Sequence, residues 1–187
     1  MQNPIRRVSS REAYRGRLVT VRVDDVVLPQ GSPAEFEFIQ IKPGACVLAM
    51  EDNGDVYLVR EWKYAVDRPS VECVIGGIEP GEEPLEAARR ELREEAGLAA
   101  AEYIAMGVVD PFTSMLLSPT SLFLARGLTK VPHEREEAEI IELLRVPLDE
   151  AVQMVMSGVI THGASCTLIL KSRFMKNYAN FPLPDSV

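Results

Sequence analysis

Hydrophobic and polar positions alternate with a period of two over two early stretches. Residues 17–28 read RLVTVRVDDVVL and residues 35–41 read EFEFIQI, rich in the β-branched and aromatic side chains that suit strands. Pro29-Gln30-Gly31-Ser32-Pro33 between them is turn chemistry, so the pair predicts a β-hairpin. Pro43-Gly44 breaks the alternation, and residues 45–50 then run apolar throughout, the pattern of a strand buried on both faces. Asp52-Asn53-Gly54-Asp55 predicts a tight reversal, because Asn-Gly accepts positive φ. Further strands are expected over 56–64, 70–75, 102–109, 121–125 and 140–146. The period changes to that of a helix after Pro84, where Leu85, Ala88, Leu92 and Ala96 form one narrow apolar stripe. Pro84 suits the first helical position and Gly97 the residue just past the end. Helices are also expected over 148–157 and 164–178. Residues 112–119 and 130–139 read as loops, the second too polar and acidic to bury itself. The tail from Asn180 is Pro-rich and is expected to be loose.

Strands followed by a central helix and two terminal helices imply an α/β fold, a mixed sheet packed between helices as an α/β/α sandwich. At 187 residues the chain is long enough for one domain with a real core, or one domain with an extension. No apolar run approaches 18 residues, so no membrane partner is expected. MQNPIRRVSSREAYRGR has basic residues with no apolar run behind them, unlike a secretory leader. Cys46, Cys73 and Cys166 are odd in number and widely spaced, which points to reduced thiols in a cytoplasmic compartment and to core packing. The formal net charge of −8 counts against a nucleic-acid partner, which needs a basic surface. A small anionic substrate remains compatible with it where cations neutralise the charge locally.

The helix after Pro84 ends in a costly way. Glu91 and Glu95 lie roughly 40° apart around its axis and Glu94 about 60° on the other side of Glu91, so all three share one flank. A like-charged i,i+4 pair costs roughly 0.2–0.5 kcal/mol. Acids in the last turn also oppose the helix dipole, at about 0.3–1 kcal/mol each when exposed. A helix selected for stability alone would carry lysines there. A divalent cation held by carboxylate oxygens would resolve the conflict; a solvated acidic face is the plainer alternative.

The spacing around these residues is specific. Gly76, Glu82, Arg90, Glu91, Leu92, Glu94, Glu95, Gly97 and Leu98 follow G-x(5)-E-x(7)-R-E-U-x-E-E-x-G-U, with U aliphatic, at every fixed position. In this the chain resembles the Nudix hydrolases, which cleave a nucleoside diphosphate joined to another moiety with magnesium or manganese. The resemblance implies the α/β/α sandwich over 41–180, with 1–40 an N-terminal β extension and 181–187 a tail. It implies Glu91 and Glu95 as the main metal ligands, Glu94 as a bridging one, and the Ile75 carbonyl as a backbone ligand for Mg2+ or Mn2+. Glu82 and Arg90 would pair to hold the loop against the helix.

Beyond this box the chain is similar to the ADP-ribose and nucleoside diphosphate sugar pyrophosphatases. IKPGACVLAMEDNGDVYLVREWKYAV and VECVIGGIEPGEEPLEAARRELREEAGL carry that likeness. It implies substrate contacts from Arg60, Lys63 and Arg68, a metal-assisting or substrate-side role for Glu72, and a diagnostic proline at Pro111. A loop glutamate would complete the site: Glu137 first, with Glu136 and Glu139 as alternatives and a solvated charge run as the plain reading. Trp62, Tyr64 and Phe112 are candidates for base stacking, with core packing the simpler expectation. The extension implies a homodimer. Val71-Glu72-Cys73-Val74-Ile75-Gly76 lacks the aromatic and proline usual in that branch, and the loop after Pro111 also departs from it. ADP-ribose therefore leads as substrate, with GDP-mannose or another nucleoside diphosphate sugar close behind. A nucleotide-sugar-sensing domain is the non-enzymatic alternative, although no box carboxylate is missing.

Overall fold

In the computed structural model, which describes residues 3–132 and 141–175, the chain opens with three antiparallel strands. These are β1 (Arg6–Arg15), β2 (Val19–Val27) and β3 (Pro33–Ile41). The expected hairpin is β2–β3. Its turn is closed by Leu28 N–H donating to Ser32 O (2.9 Å) and Gly31 N–H to Leu28 O (2.8 Å), with Gly31 at φ 88°. Strand β1 departs from expectation. Its residues RRVSSREAYR show no apolar alternation and are all exposed, so no hydrophobic period announces them. Polar cross-strand contacts supplement its ladder: Arg11–Glu35 at 3.2 Å, Arg7–Asp24 at 3.6 Å and Arg22–Ser10 at 3.3 Å. A charged, polar edge strand is one way a sheet avoids unplanned pairing. The stretch read as a loop also holds a two-residue strand, β9 (Leu116–Leu117), parallel to β3. Met1–Pro43 and Asp110–Pro119 together form one compact unit, and Gly44–Val109 with Thr120–Val187 forms a second.

The second unit contains β4 (Gly44–Met50), β5 (Asp55–Lys63), β6 (Arg68–Glu72), β7 (Val74–Gly77), α1 (Pro84–Ala96) and β8 (Leu98–Val109). After them come β10 (Thr120–Lys130), β11 (Glu142–Pro147), α2 (Leu148–Met156) and α3 (Gly163–Met175). Its sheet runs β11-β5-β4-β10-β8, with β6 on β5 and β7 on β4. Strands β4 and β10 are parallel and the other pairs antiparallel, so the sheet is mixed. Alternation along the strands sorts the core into two layers. Cys46, Leu48, Met50, Leu58, Leu122 and Leu124 face Leu148, Ala151, Leu168 and Ile169 of α2 and α3. Ala45, Val47, Ala49, Tyr57, Val59 and Phe123 face Ala87, Ala88, Leu92 and Ala96 of α1. This is the expected α/β/α sandwich. The small residues of α1, fully buried at Ala87 and Ala88, let that helix lie close to the sheet.

One expected strand, 70–75, is divided in two at Cys73. Residues 68–72 pair with β5 and residues 74–77 with β4. Strand β4 itself uses 44–47 against β7 and only 49–50 against β5. The two central strands therefore diverge, and the 68–77 segment fills the wedge between them. Strand β8 starts at Leu98, four residues earlier than expected, because its alanines are drawn in opposite Leu128 and Thr129 of β10. No described helix is long and apolar enough to cross a membrane.

Candidate active site

The helix that carries the acidic triplet is bounded as its punctuation implies. Pro84 stands at its first position, and the Glu83 carbonyl accepts from Glu86 and Ala87 N–H at 2.9 and 3.1 Å. At the other end Gly97 turns left-handed (φ 61°, ψ 36°), and its N–H returns to Arg93 O at 3.0 Å. The Gly97 carbonyl accepts from Val131 N–H at 2.9 Å, which ties the helix terminus to the end of β10.

Arg90 organises the loop before the helix. Its Nε and Nη2 donate to the two oxygens of Glu82 at 3.0 and 3.1 Å, and Nη2 also reaches Gly77 O at 3.0 Å. Glu79 N–H donates to Glu82 Oε2 at 2.9 Å, so the carboxylate pins the turn from both sides. The remaining nitrogen, Nη1, lies 2.6 Å from Glu91 Oε1 and 3.1 Å from Glu94 Oε2. One planar guanidinium thus meets three carboxylates, a task for which its fixed fork of donors is suited. These hydrogen bonds, that to Glu82 first, hold the Arg90 pKa above its ordinary range.

The three carboxylates of the triplet differ in setting. Glu91 is buried, with its carboxyl pressed against Gly76: a Cβ at that glycine would come within 1.9 Å of it. Glu95 is the most strained electrostatically. Burial raises its pKa to about 8, the negative charge of Glu91 adds to the rise, and Lys63 and the Ile75 N–H oppose it. An extended residue directs its N–H and carbonyl to the same side, so the Ile75 carbonyl faces the flank where Glu95 meets the strand. Among the described residues no three His, Cys, Asp or Glu side chains converge as a ready cation cage. Arg90 instead draws Glu91 and Glu94 toward itself. The donors still suit a hard divalent cation: all are oxygens, and a positive charge would relieve the half-buried Glu95.

A second cluster lies at the wedge in the sheet. Glu72, 7 % exposed, has Lys63 Nζ at 3.9 Å and His162 Nδ1 at 3.7 Å from the same oxygen. Lys63 also bonds Glu61 at 2.5 Å. Burial works against the lysine charge, but the hydrogen bond to Glu61 and the fields of Glu72, Glu61 and Glu95 outweigh it and raise the Lys63 pKa. His162 Nδ1 shares a 2.8 Å hydrogen bond with Ser165 Oγ, which accepts Cys73 N–H at 2.9 Å. Burial lowers the His162 pKa, against the pull of Glu72.

The structure thus brings together Glu82, Arg90, Glu91 and Glu94, with Glu95 beside Ile75, and it sets Lys63 beside Glu72. Arg60 is instead paired with Glu142 at 2.9 Å on the neighbouring strand, and Arg68 with Thr161 Oγ1 at 2.9 Å. Pro111 belongs to the N-terminal unit. Glu136, Glu137 and Glu139 lie outside the described residues. Trp62, Tyr64 and Phe112 correct the core expectation: they are 56 %, 93 % and 53 % exposed. Cys46 and Cys73 are buried as expected, and Cys166 is partly so. His162 and Ser165 were not singled out as site residues by sequence, since nothing local marks residues that act across some ninety positions of chain.

The second unit and its acidic helix have known counterparts. A solved structure titled as that of an ADP compounds hydrolase superposes with a TM-score of 0.83, covering 96 % of this chain and 98 % of that one at 21 % identity. The two chains therefore share one fold. Residues 40–161 match the NUDIX domain, and the chain belongs to the Nudix hydrolase family. Residues 5–39 match the nucleoside diphosphate sugar hydrolase N-terminal domain. An ADP-ribose pyrophosphatase of Bacillus subtilis is 30 % identical over 80 % of this chain and 82 % of its own length. One of Mycobacterium tuberculosis is 28 % identical over 87 % and 80 %.

Two outcomes follow from this geometry. Gly76→Ala places a methyl where the Glu91 carboxyl lies, and the far end of a glutamate can swing aside at small cost. The variant should unfold within about 1 kcal/mol of the parent in urea yet bind Mn2+ at least about tenfold more weakly by titration; unchanged affinity would refute the contact. Glu95→Gln tests the buried charge. Folded Glu95 keeps its proton to higher pH than the unfolded chain does, so the parent loses stability as pH rises from about 4.5 to about 8. Glutamine never ionises. In EDTA the variant's advantage in denaturant unfolding should therefore grow across that window by about 1 kcal/mol or more, and a pH-independent difference would refute it.

Proposed function

We propose that this protein hydrolyses the pyrophosphate bond of a nucleoside diphosphate sugar, ADP-ribose foremost, to a nucleoside monophosphate and a sugar phosphate. The observation that carries the reading is the half-buried Glu95, one carboxyl oxygen of it shut off from solvent, set against Glu91 and the Ile75 backbone at the end of a helix that would be more stable without it. Glu91 and Glu95 would hold a divalent cation, Mg2+ or Mn2+, with Glu94 bridging and the Ile75 carbonyl as backbone ligand. When bound, the cation supplies Lewis-acid polarisation of phosphoryl oxygens and lowers the pKa of coordinated water. The chain's own groups do the rest. Arg90 and Glu82 hold the loop and helix in register, and Lys63 offers positive charge to a substrate phosphate beside Glu72. Arg60 and Arg68 can reach phosphate only by exchanging their present partners. Pro111 belongs to the substrate side, and Glu137, with Glu136 or Glu139 in its stead, supplies the remaining acidic group.

The names borne by the two bacterial relatives favour ADP-ribose. The altered residues before Gly76 keep GDP-mannose and other nucleoside diphosphate sugars as the alternative. We assign residues 1–40 to dimerisation, 41–180 to hydrolysis and 181–187 to a tail. The reduced thiols, two of them buried, fit a cytoplasmic enzyme. The N-terminal sheet supports a homodimer: among the described residues its edge strand β1 has one side unpaired, and Val8, Tyr14, Leu18 and Phe36 are exposed on that unit.

With Mg2+, a panel of ADP-ribose, GDP-mannose, ADP-glucose, NADH and dinucleoside polyphosphates should give turnover highest on ADP-ribose, followed by release of monophosphate and sugar phosphate. Glu95→Gln should retain its fold and lose turnover by orders of magnitude. Full Mg2+-dependent activity in that variant would sink the assignment. Light scattering at micromolar concentration should return twice the 20.7 kDa chain mass, and a monomeric mass would refute the dimer.

A further inference from the structure

Cys73 stands where the 68–77 segment leaves β5 and joins β4, and among the described residues it has no strand partner of its own between the Val59–Glu72 and Val47–Val74 pairs. A buried backbone N–H must still be satisfied. Here the acceptor is Ser165 Oγ at 2.9 Å, on a fully buried residue in the first turn of α3. Ser165 is in turn bonded to His162 Nδ1 at 2.8 Å, and His162 also touches Glu72 at 3.7 Å. Just before it, Thr161 Oγ1 accepts from Arg68 Nη2 at 2.9 Å. Three side-chain contacts therefore fasten the start of α3 to the segment that carries Glu72 and Ile75. The His162 carbonyl accepts Cys166 N–H at 2.9 Å, so this residue caps the helix. Histidine is not among the preferred caps; serine, threonine, aspartate or asparagine would serve stability better. Its ring is there for what it reaches.

We propose that His162 is a positioning residue of the hydrolytic site. Through Ser165 it holds the Cys73 amide at the strand switch, and its ring lies beside the Glu72 carboxylate, 3.7 Å away, at the wedge. The β6–β7 segment then presents Glu72 and the Ile75 backbone to Glu95 in one arrangement. This rests on the hydrolase reading above. Partners that orient ligating groups in this indirect way are commonly worth about 10–100-fold in metal affinity or activity.

Two substitutions separate positioning from capping. His162→Ser restores a good cap but cannot reach Glu72 and Ser165 as the ring does. His162→Asn caps equally well and keeps a hydrogen-bonding group at the place of Nδ1. Each is compared with the parent by thermal unfolding, by kcat and KM on ADP-ribose, and by Mn2+ affinity without substrate, read from the spin resonance of free Mn2+. The serine variant should keep its unfolding midpoint and its KM, while kcat and Mn2+ affinity fall about 10–100-fold. The asparagine variant should recover both to near the parent. Parental kcat and Mn2+ affinity in the serine variant would overturn the proposal, as would an asparagine variant that is equally folded and equally impaired. A parent inactive on every diphosphate sugar would defeat the hydrolase reading alone. The Mn2+ comparison still judges His162 in that case, and equal affinities would overturn its role.

Discussion

Repulsion between carboxylates in a partly buried corner is the constraint around which the catalytic unit is arranged. Three acids in the last two turns of α1 cannot all be ionised in a dry setting without compensation. Part of the compensation is internal. Arg90 meets Glu82, Glu91 and Glu94 through one guanidinium, and Lys63 lends its field to Glu95. Part is left to the proton that Glu95 retains or to a cation that replaces it. The fold tolerates this because α1 is held by other means, chiefly the apolar face of Ala87, Ala88, Leu92 and Ala96 against the sheet. Burial at that face can bear the local penalty.

Geometry at the corner depends on how closely strand and helix approach. Gly76 has no side chain, so the Glu91 carboxyl can lie on the backbone. The turn between them is stiffened by Glu82, which accepts from Glu79 N–H and from two nitrogens of Arg90. The acidic groups are thus carried on a helix and a strand, with a short clamped turn between them, and this favours a single arrangement. The basic residues are handled differently. Lys63 is already beside the acids, whereas Arg60 and Arg68 are engaged with Glu142 and Thr161.

Much of this was legible in the chain because it is local. The helix limits follow from Pro84 and Gly97, the three-layer packing from strands followed by a central and two terminal helices, and the acid corner from spacing within 23 residues. The Glu82–Arg90 clamp was foreseen by resemblance and is present. What escaped was non-local or lacked a hydrophobic period. Strand β1 is exposed throughout, lacks an apolar period and is ordered by pairing. The division of the 70–75 strand at Cys73 has no sequence signature, since Val71 to Ile75 holds no glycine, proline or other turn residue to mark a break. The exposure of Trp62 and Tyr64 reverses the ordinary tendency of aromatic residues to be buried. His162 stands alone in the sequence and acquires neighbours only when α3 docks on the sheet.

That docking has a bearing on motion. The amide of Cys73 is satisfied from a helix rather than from a strand, so the wedge strand and the first turn of α3 cannot breathe independently. A fluctuation that lifts the helix end strips the amide of its acceptor, and loosening the strand does the same to the hydroxyl. Opening on this side of the molecule is consequently shared between two layers of the sandwich, and the helix farthest in sequence from the acidic box is tied to the strand that leads into it.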